Sequence, residues 1–527
     1  RLMGFGHRVY GARDPRAAVL EDAAAAAELR LDGGRRLRAL ANALRDGAGL
    51  DTHAAPAGLK GTLRQYQLDG LGWLQTLAHH GFGGILADDM GLGKTIQALA
   101  HLLAEKEAGR LDRPCLLVAP TSVVWNWISE AQRFAPGLRT LVLHGPDRRA
   151  SFDAIEDADL VVTTYALLPR DKEHLLARGY HVVLCDEAQN VKNADAQAAR
   201  VLRQLDARQR VCLTGTPMEN HLDELWSLMR IAVPGVFGER TQFRKQFRTP
   251  IEKHDDRGKR QVLSRRVRPF LLRRTKAQVA SELPPRSEMT EPVELEGDQR
   301  ELYETVRLQM DARVREQIRE RGLAQSQITV LDALLKLRQV CCDPRLVKLD
   351  AARQTQTSAK LDRLLDMLGD LLDEGRQVLV FSQFTSMLAL VADALKRIGL
   401  GYVMLTGDTK DRRTPVERFQ AGEVPIFLIS LKAGGTGLNL TAADTVIHYD
   451  PWWNPAVEAQ ASDRAHRIGQ DKPVFVYKMI AEGTVEERIV QMQARKKDLA
   501  SVVQAAESGE GPALTQHDVD ELLAPLK

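Results

Sequence analysis

Two clusters of short apolar runs constrain this chain more than anything else in it. From residue 83 to about 215, "GGILA", "CLLVA", "TLVL", "DLVVT", "HVVLC" and "RVCLT" alternate with amphipathic stretches. Between about 377 and 478 the pattern returns as "QVLVF", "YVML", "IFLIS", "TVIHY" and "VFVYK". Such runs, rich in Val, Leu and Ile, suit strands buried on both faces, and the stretches between them suit crossover helices. The expected fold is α/β, with two parallel-sheet lobes covered by helices. The two sets repeat in class and not in sequence. At 527 residues the chain is also too long for one core.

Between the lobes the pattern changes. "ELPPRSE" breaks any helix at Pro284–Pro285. "ELYETVRLQMDARVREQIRERG" then puts Tyr303, Val306, Met310, Val314 and Ile318 on one helical face amid dense charge. With "VLDALLKLRQVCCDPRLV" following, this reads as a helical insertion. Residues 501–527 read as a tail with one helix, for which "TQHD" supplies a capping box, Thr515 at the N-cap and Asp518 at N3.

Apolar and charged fractions of 44% and 27% are those of an ordinary soluble protein. No apolar run approaches the roughly 18 residues that span a bilayer, no secretory pattern opens the chain, and no membrane partner is expected. The first residue is Arg1, not Met, which reads as a fragment or an internal start. Cys115, Cys185, Cys212, Cys341 and Cys342 show neither metal nor disulfide spacing. Three lie in strand-like runs, where a reduced thiol packs as a small hydrophobe. Cys341–Cys342 reads either as a redox pair or as two bystander thiols, and a cytoplasmic location follows. A net charge of +3 makes no case for nucleic acid. The local run "RRVRPFLLRRTK" (265–276) has two readings, a phosphate-neutralising patch or a solvated basic face.

"ILADDMGLGKTIQALA" (85–100) is a strand end, a glycine turn and a helix. The general phosphate cradle is G-x-x-x-x-G-K-[ST]. Gly93, Lys94 and Thr95 fit it, while Asp88 takes the first glycine position. Backbone N–H groups and the helix dipole would face the anion, and Gly91 and Gly93 permit positive φ. Lys94 would reach the β- and γ-phosphates and Thr95 would hold Mg²⁺. The alternative is a glycine turn that caps an ordinary helix. "HVVLCDEAQ" (181–189) supplies the companion, because α/β folds place ligands at strand C-termini. There Asp186 would orient the Mg²⁺ hydration shell and Glu187 would position and deprotonate water.

At "DEAQ", with "LTGTPMENH" (213–221) following, the chain resembles the superfamily-two helicase-like ATPases. More closely it resembles their Swi/Snf branch of double-stranded DNA translocases in its bacterial form, over residues 29–523. The resemblance implies two RecA-like lobes, ATP and Mg²⁺ as cofactors, and an ATP hydrolase that remodels or displaces DNA-bound proteins. "LRQYQLDGLGWL" (63–74) is similar to the adenine motif, with Gln67 reading the base edge. "ADDMGLGKT" is similar to the branch's own cradle, so Asp88, Met90, Gly91, Leu92, Gly93, Lys94 and Thr95 would hold ATP. An acid at position 88 is then a family trait. "APTSVVWNW" (119–127), with Thr121 and Ser122, and "TTYALL" (163–168) resemble DNA-backbone motifs. Thr214 and Thr216 would link hydrolysis to DNA contact. Gln189 stands where a histidine is common and would hydrogen-bond across the cleft.

In the second lobe "VLVFSQF" (378–384), with Ser382 and Gln383, and "LTGDT" (405–409) resemble strand-contact elements. The most diagnostic stretch runs from 430 to 470 and includes Lys432, Gly435 and Gly437. Its end resembles Q-x-x-x-R-x-x-R, carried by Gln460, Arg464 and Arg467, whose arginines would point at the γ-phosphate. Trp452 and Trp453 either touch DNA or couple the lobes, or else are core aromatics. The implied partner is duplex DNA, gripped by its phosphates and without sequence preference, with RNA polymerase or other DNA-bound proteins as displaced complexes at the nucleoid. A strand-separating helicase and a catalytically silent scaffold are the rival readings.

"RLMGFGHRVYGARDPRA" (1–17) belongs to none of this. It resembles the oxaloacetate-binding motif of citrate synthase, with His7 and Arg16 in the substrate positions. The resemblance covers residues 1–28, too few to bury a core, and an appendage without synthase activity is expected. The expected domains are residues 1–28, a truncated N-terminal module at 29–58, the first lobe at 59–272, the helical insertion at 273–357, the second lobe at 358–500 and the tail at 501–527.

Overall fold

The computed structural model describes residues 54–215, 218, 222–279, 283–347, 357–434, 438–452, 455–493 and 516–526. It divides into two compact units, with the boundary between residues 281 and 282. Of the expected insertion, residues 273–279 therefore go with the first unit, and the described residues from 283 onward go with the second.

The first unit is built on strands β1 (Gly84–Leu86), β2 (Cys115–Ala119), β3 (Thr140–Val142), β4 (Leu160–Thr164), β5 (Gly179–Cys185), β6 (Asp206–Leu213) and β7 (Leu271–Leu272). Their order is β3-β4-β2-β5-β6-β1-β7, and every pairing is parallel. The apolar runs account for this, since every residue of β1, β2 and β4 is buried. Register aligns Leu86 with Leu213 and Leu272, and Cys185 with Cys212 and Val118. The C-terminal ends of β2, β5, β6, β1 and β7 thus share one edge. Strand β7 has only two residues and no periodicity to announce it, yet it delivers Arg274 to that edge.

The second unit holds β8 (Arg286–Val293), β9 (Val378–Ser382), β10 (Tyr402–Leu405), β11 (Ile426–Ser430), β12 (Thr445–His448) and β13 (Val474–Ala481). Their order is β10-β11-β9-β12-β13-β8, again all parallel. Here the structure departs from the expected helical insertion. Strand β8 pairs with β13 from Arg286↔Val474 to Val293↔Ala481. It is an edge strand, mostly exposed, so its sequence is polar and tolerates Pro292.

The helical part of that segment is a hairpin of Gly297–Arg321 and Leu323–Cys342. Tyr303, Val306, Met310 and Val314 are buried in it, as the periodicity predicts. Val485, Ile489, Val519 and Leu522 complete this core, so the terminal helix Gln516–Leu522 belongs to the second unit. Its predicted cap, Thr515, lies outside the described residues. All five cysteines are buried. Among the described residues no group of side chains could hold a metal by itself, and no helix is long and apolar enough to cross a membrane.

Candidate nucleotide and nucleic-acid site

The turn between β1 and the helix Lys94–Glu107 adopts the shape of a phosphate cradle. Gly91 and Gly93 have φ of 83° and 76°, and a Cβ at Gly93 would lie 2.5 Å from Nε2 of Gln67. The ammonium of Lys94 donates to the carbonyl oxygens of Asp88 at 2.6 Å and Asp89 at 3.4 Å. Burial pulls its pKa down, against the pull of Glu187, Asp88, Asp186 and Asp89. Thr95 is the second residue of the helix and half-buried. Met90 packs against Gly215, where an added Cβ would come within 3.1 Å of its Cγ.

Asp88 faces away from that cradle. It is fully buried, and its carboxylate takes the guanidinium of Arg274 in a fork, with Nε at 2.9 Å from Oδ1 and Nη2 on Oδ2. Gln97 donates to the same carboxylate at 3.3 Å and accepts from Arg274 at 2.8 Å. Arg274 also donates to the Tyr66 carbonyl and stacks over the Tyr66 ring. Tyr66 in turn donates its hydroxyl to the Leu92 carbonyl at 3.0 Å. The side chain at position 88 thus anchors the entry of the turn. Arg274 leaves the basic run as well: it is 6% exposed, whereas Arg265 and Arg273 face solvent.

Gln67 is likewise engaged within the unit. It is 4% exposed; its Nε2 donates to the Leu92 carbonyl at 3.2 Å and its Oε1 accepts from the Arg64 N–H at 2.9 Å. One end of the amide supports the turn and the other caps the helix Gln65–His79.

Across the shared edge, β5 ends in Asp186–Glu187. The indole of Trp127 donates to Asp186 Oδ2 at 2.7 Å and the Glu187 N–H to Oδ1 at 2.9 Å. Burial and the neighbouring Glu187 push the Asp186 carboxyl up to about 7, against those bonds and Lys94. Glu187 sits at φ 46°, a left-handed conformation rare outside glycine that aims its side chain off the strand. Nε2 of Gln189 donates to Glu187 Oε2 at 2.8 Å, and Oγ1 of the buried Thr214 donates to Gln189 Oε1 at 2.8 Å. Gln189 therefore bonds within its own unit. Thr216 lies outside the described residues.

At the far side of the same sheet Thr121 lines a cavity of about 290 Å³ with His144, Arg148, Thr164 and Arg170. Arg148 is fixed there by Asp171, with bonds of 2.7 and 2.8 Å. Ser122 is half-buried beside Thr121.

In the second unit Ser382 is buried and donates to Asp450 Oδ1 at 2.5 Å, and the Gln383 N–H points to the same carboxylate at 3.3 Å. The hydroxyl of Ser382 is thus engaged inside the unit. Lys432 is exposed, while Gly435, Gly437 and Trp453 lie outside the described residues. Trp452 is half-buried against the second unit's core, and its N–H donates to Glu458 at 2.6 Å.

Gln460 is on the helix Pro455–Ser462, and Arg464 and Arg467 follow it. Arg464 is 5% exposed and Arg467 donates to the Leu438 carbonyl at 3.2 Å. Neither is an ordinary surface arginine. Four contacts the sequence did not announce hold this segment. His448 donates to Ser462 Oγ at 2.8 Å, Lys478 pairs with Glu458 at 3.2 Å, Arg286 with Asp463 at 3.0 Å, and His466 donates to the Pro284 carbonyl at 2.9 Å.

Comparison with known proteins assigns these features to a family. The SNF2-related domain model matches residues 66–346 and the helicase conserved C-terminal domain matches 359–469. The citrate synthase C-terminal domain model matches residues 1–60, beyond the 28 residues that the motif marks and across the expected 29–58 module. Of that stretch the described residues begin at 54, where Ala57 and Gly58 donate their N–H groups to Glu107. YwqA of Bacillus subtilis is 42% identical over 490 residues, covering 91% of this chain and 53% of that protein. The human SWI/SNF-related regulator of chromatin subfamily A member 1 is 37% identical, over 84% of this chain and 44% of its own length. The Sulfolobus solfataricus SWI2/SNF2 ATPase core in complex with dsDNA is 34% identical, with 90% of this chain and 99% of that one covered at a TM-score of 0.45. The chain spans about half the length of the curated relatives it matches. The SNF2-related model covers more than half of the chain, and the chain belongs to the SNF2-related family.

Proposed function

We propose that this chain is an ATP hydrolase, stimulated by duplex DNA, that moves along DNA and remodels or displaces bound proteins. The observation that carries this reading is the placement of Lys94, Asp186 and Glu187 at one sheet edge, with Glu187 tied through Gln189 to Thr214. Lys94 would hold the β- and γ-phosphates, and Glu187 would take the proton of the attacking water. The donor set fits Mg²⁺. Two adjacent carboxylates, one driven toward protonation by burial and by its neighbour, are relieved by a cation, and Thr95 adds a hydroxyl. Bound there, Mg²⁺ would neutralise charge on the phosphates. Gln460, Arg464 and Arg467 would stabilise the transferring phosphoryl group, a role that contributes about 10³–10⁵ in rate.

The cavity lined by Thr121, His144, Arg148, Thr164 and Arg170 offers hydroxyls and cations of the kind that position a phosphate backbone without reading sequence. The names of relatives point the same way: that of YwqA carries ATP-dependent helicase/translocase, and the Sulfolobus core is held on dsDNA. ATP hydrolysis with and without duplex DNA tests the proposal, and triplex displacement against forked-duplex unwinding separates tracking from strand separation. Hydrolysis that duplex DNA does not raise would remove the motor reading.

A further inference from the structure

Charge is unevenly placed along the first unit. Between residues 240 and 276 stand fourteen Lys or Arg and three Asp or Glu, a net of +11 where the whole chain carries +3. The structure sorts these cations into two sets. In the inner set, the buried carboxylate of Asp223 receives Arg240 at 3.0 Å, Arg248 at 2.8 Å and Arg244. Arg248 also reaches Glu252 at 2.7 Å, Arg260 pairs with Asp255, and Arg266 lies 5.5 Å over the Phe247 ring. Asp256 accepts the Lys259 N–H at 2.9 Å as a helix cap, so each of the three acids is already engaged. The outer set is Lys245, Lys253, Arg257, Lys259 and Arg265. All five are exposed, and none has an acidic partner among the described residues.

These five lie on Arg244–Arg248, Thr249–His254 and Arg257–Val267, helical segments that pack on one another. Phe247, Ile251, Leu263 and Val267 turn the other way, into the first unit's core. One side of the segments therefore faces protein and the other is a cationic face in water. The chemistry of that face selects its partner. Gln242, Gln246, Gln261, Thr241 and Thr249 are exposed in the same stretch, and amides and hydroxyls accompany Lys and Arg on phosphates. A membrane or protein-docking face needs apolar anchors, yet the only large apolar side chain exposed between residues 240 and 276 is Val262, at 40%.

We propose that this face is a second contact for duplex DNA, one that holds phosphates without reading bases. For the identity of the partner it rests on the DNA reading above. The cavity lined by Thr121 and Arg148 is a different place. It stands where β3 and β4 end, whereas these segments pack through the helix Leu222–Ala232 against β6 and β1, toward the β7 edge. Seven strands about 4.8 Å apart set the two edges about 29 Å from each other. None of the five cations belongs to the phosphate turn or the acid pair, so the contact adds affinity and salt dependence and leaves turnover alone.

The test uses the full chain, with duplex affinity by fluorescence anisotropy between about 50 and 200 mM salt, kcat at saturating duplex, and melting temperature. Combining Lys245→Gln, Lys253→Gln, Arg257→Gln and Arg265→Gln should weaken duplex binding at least about tenfold at the lower salt. The slope of log affinity against log salt should become shallower by up to about 3.6, at about 0.9 for each phosphate no longer neutralised. The charge-keeping set Lys245→Arg, Lys253→Arg, Arg257→Lys and Arg265→Lys should bind as wild type does. Affinity and slope unchanged in the glutamine variant overturn the proposal. So does a variant that loses binding to phosphatidylserine vesicles or to polyglutamate while keeping its grip on duplex. A fall in kcat at saturating duplex puts these residues on the motor's own track and overturns a separate contact. Should the glutamine variant melt too low to assay, acetylation of the wild-type protein decides: duplex should shield Lys245, Lys253 and Lys259, and equal labelling with and without it overturns the proposal. A wild-type protein with no affinity for duplex would instead remove the DNA reading itself.

Discussion

Glu187 and Thr214 are joined through a single side chain: Gln189 donates to the carboxylate and accepts from the hydroxyl, each at 2.8 Å. Thr214 follows β6 and Glu187 follows β5, so the relay links the ends of two adjacent strands. Removing the hydroxyl with Thr214→Val frees Gln189 from one side and lets the Glu187 carboxylate rotate. A hydrogen bond to a charged group contributes about 1.5–3 kcal/mol, and about 1.4 kcal/mol is tenfold in rate. DNA-stimulated kcat should fall about 10–100-fold in Thr214→Val and Gln189→Leu, while Gln189→His retains most of it. Equal rates in Gln189→Leu and wild type would show that the relay has no part in turnover.

Lys94 and Glu187 should separate cleanly in kinetics. Glu187→Gln keeps the shape and the bond to Gln189 yet cannot accept a proton, so nucleotide binds and kcat falls about 10²–10⁴-fold. Lys94→Ala removes the cation proposed to hold the phosphates and should abolish both binding and hydrolysis. Fluorescent-nucleotide titration beside a phosphate-release assay makes the distinction. Tight binding by Lys94→Ala would refute the cradle.

The phosphate turn and the acid pair were legible in the sequence because their chemistry sits on contiguous backbone. Gly93-Lys94-Thr95 and Asp186-Glu187 need only a strand before them, and the apolar runs supply it. The partner of Asp88 was not legible, because Arg274 stands 186 positions away and belongs to a run that reads as surface. Strand β8 was missed for the opposite reason: an edge strand has no apolar signature to read. Ser382 shows a third limit. A motif places a residue at a strand's end without saying which way its side chain turns, and here it turns inward to Asp450.

His448 gives the second unit a defined response to acid. Burial, then Lys478 and Arg286, push its imidazole from an ordinary 6.5 down to about 3, so the folded state holds it neutral with Nε2–H on Ser462. The unfolded chain takes up the proton first as pH falls. The stability from this group is therefore complete above about 6.5 and is lost progressively below it, by about 1.4 kcal/mol at pH 5.5. His448→Asn, which can still donate to Ser462 but does not titrate, should flatten the fall in urea stability between pH 7.5 and 5.5 by that amount. An unaltered slope in the variant would place the acid sensitivity elsewhere.

Asp88→Gly restores the general phosphate-cradle pattern and should nevertheless damage the protein. By motif alone it is an improvement, since glycine is the residue most cradles carry there. By structure it strips a fully buried carboxylate from a guanidinium that is itself buried. Breaking a buried pair on one side costs about 3–5 kcal/mol. Gln97 loses a partner at the same time. The first unit should melt well below wild type, and nucleotide binding should weaken with it. Asp88→Asn, which keeps the shape and one acceptor, should fall between the two. The double variant Asp88→Gly with Arg274→Met should recover part of the lost stability, because no unpaired charge remains inside. If Asp88→Gly alone melts with wild type, the carboxylate is no anchor and the residue reverts to a passive member of the turn.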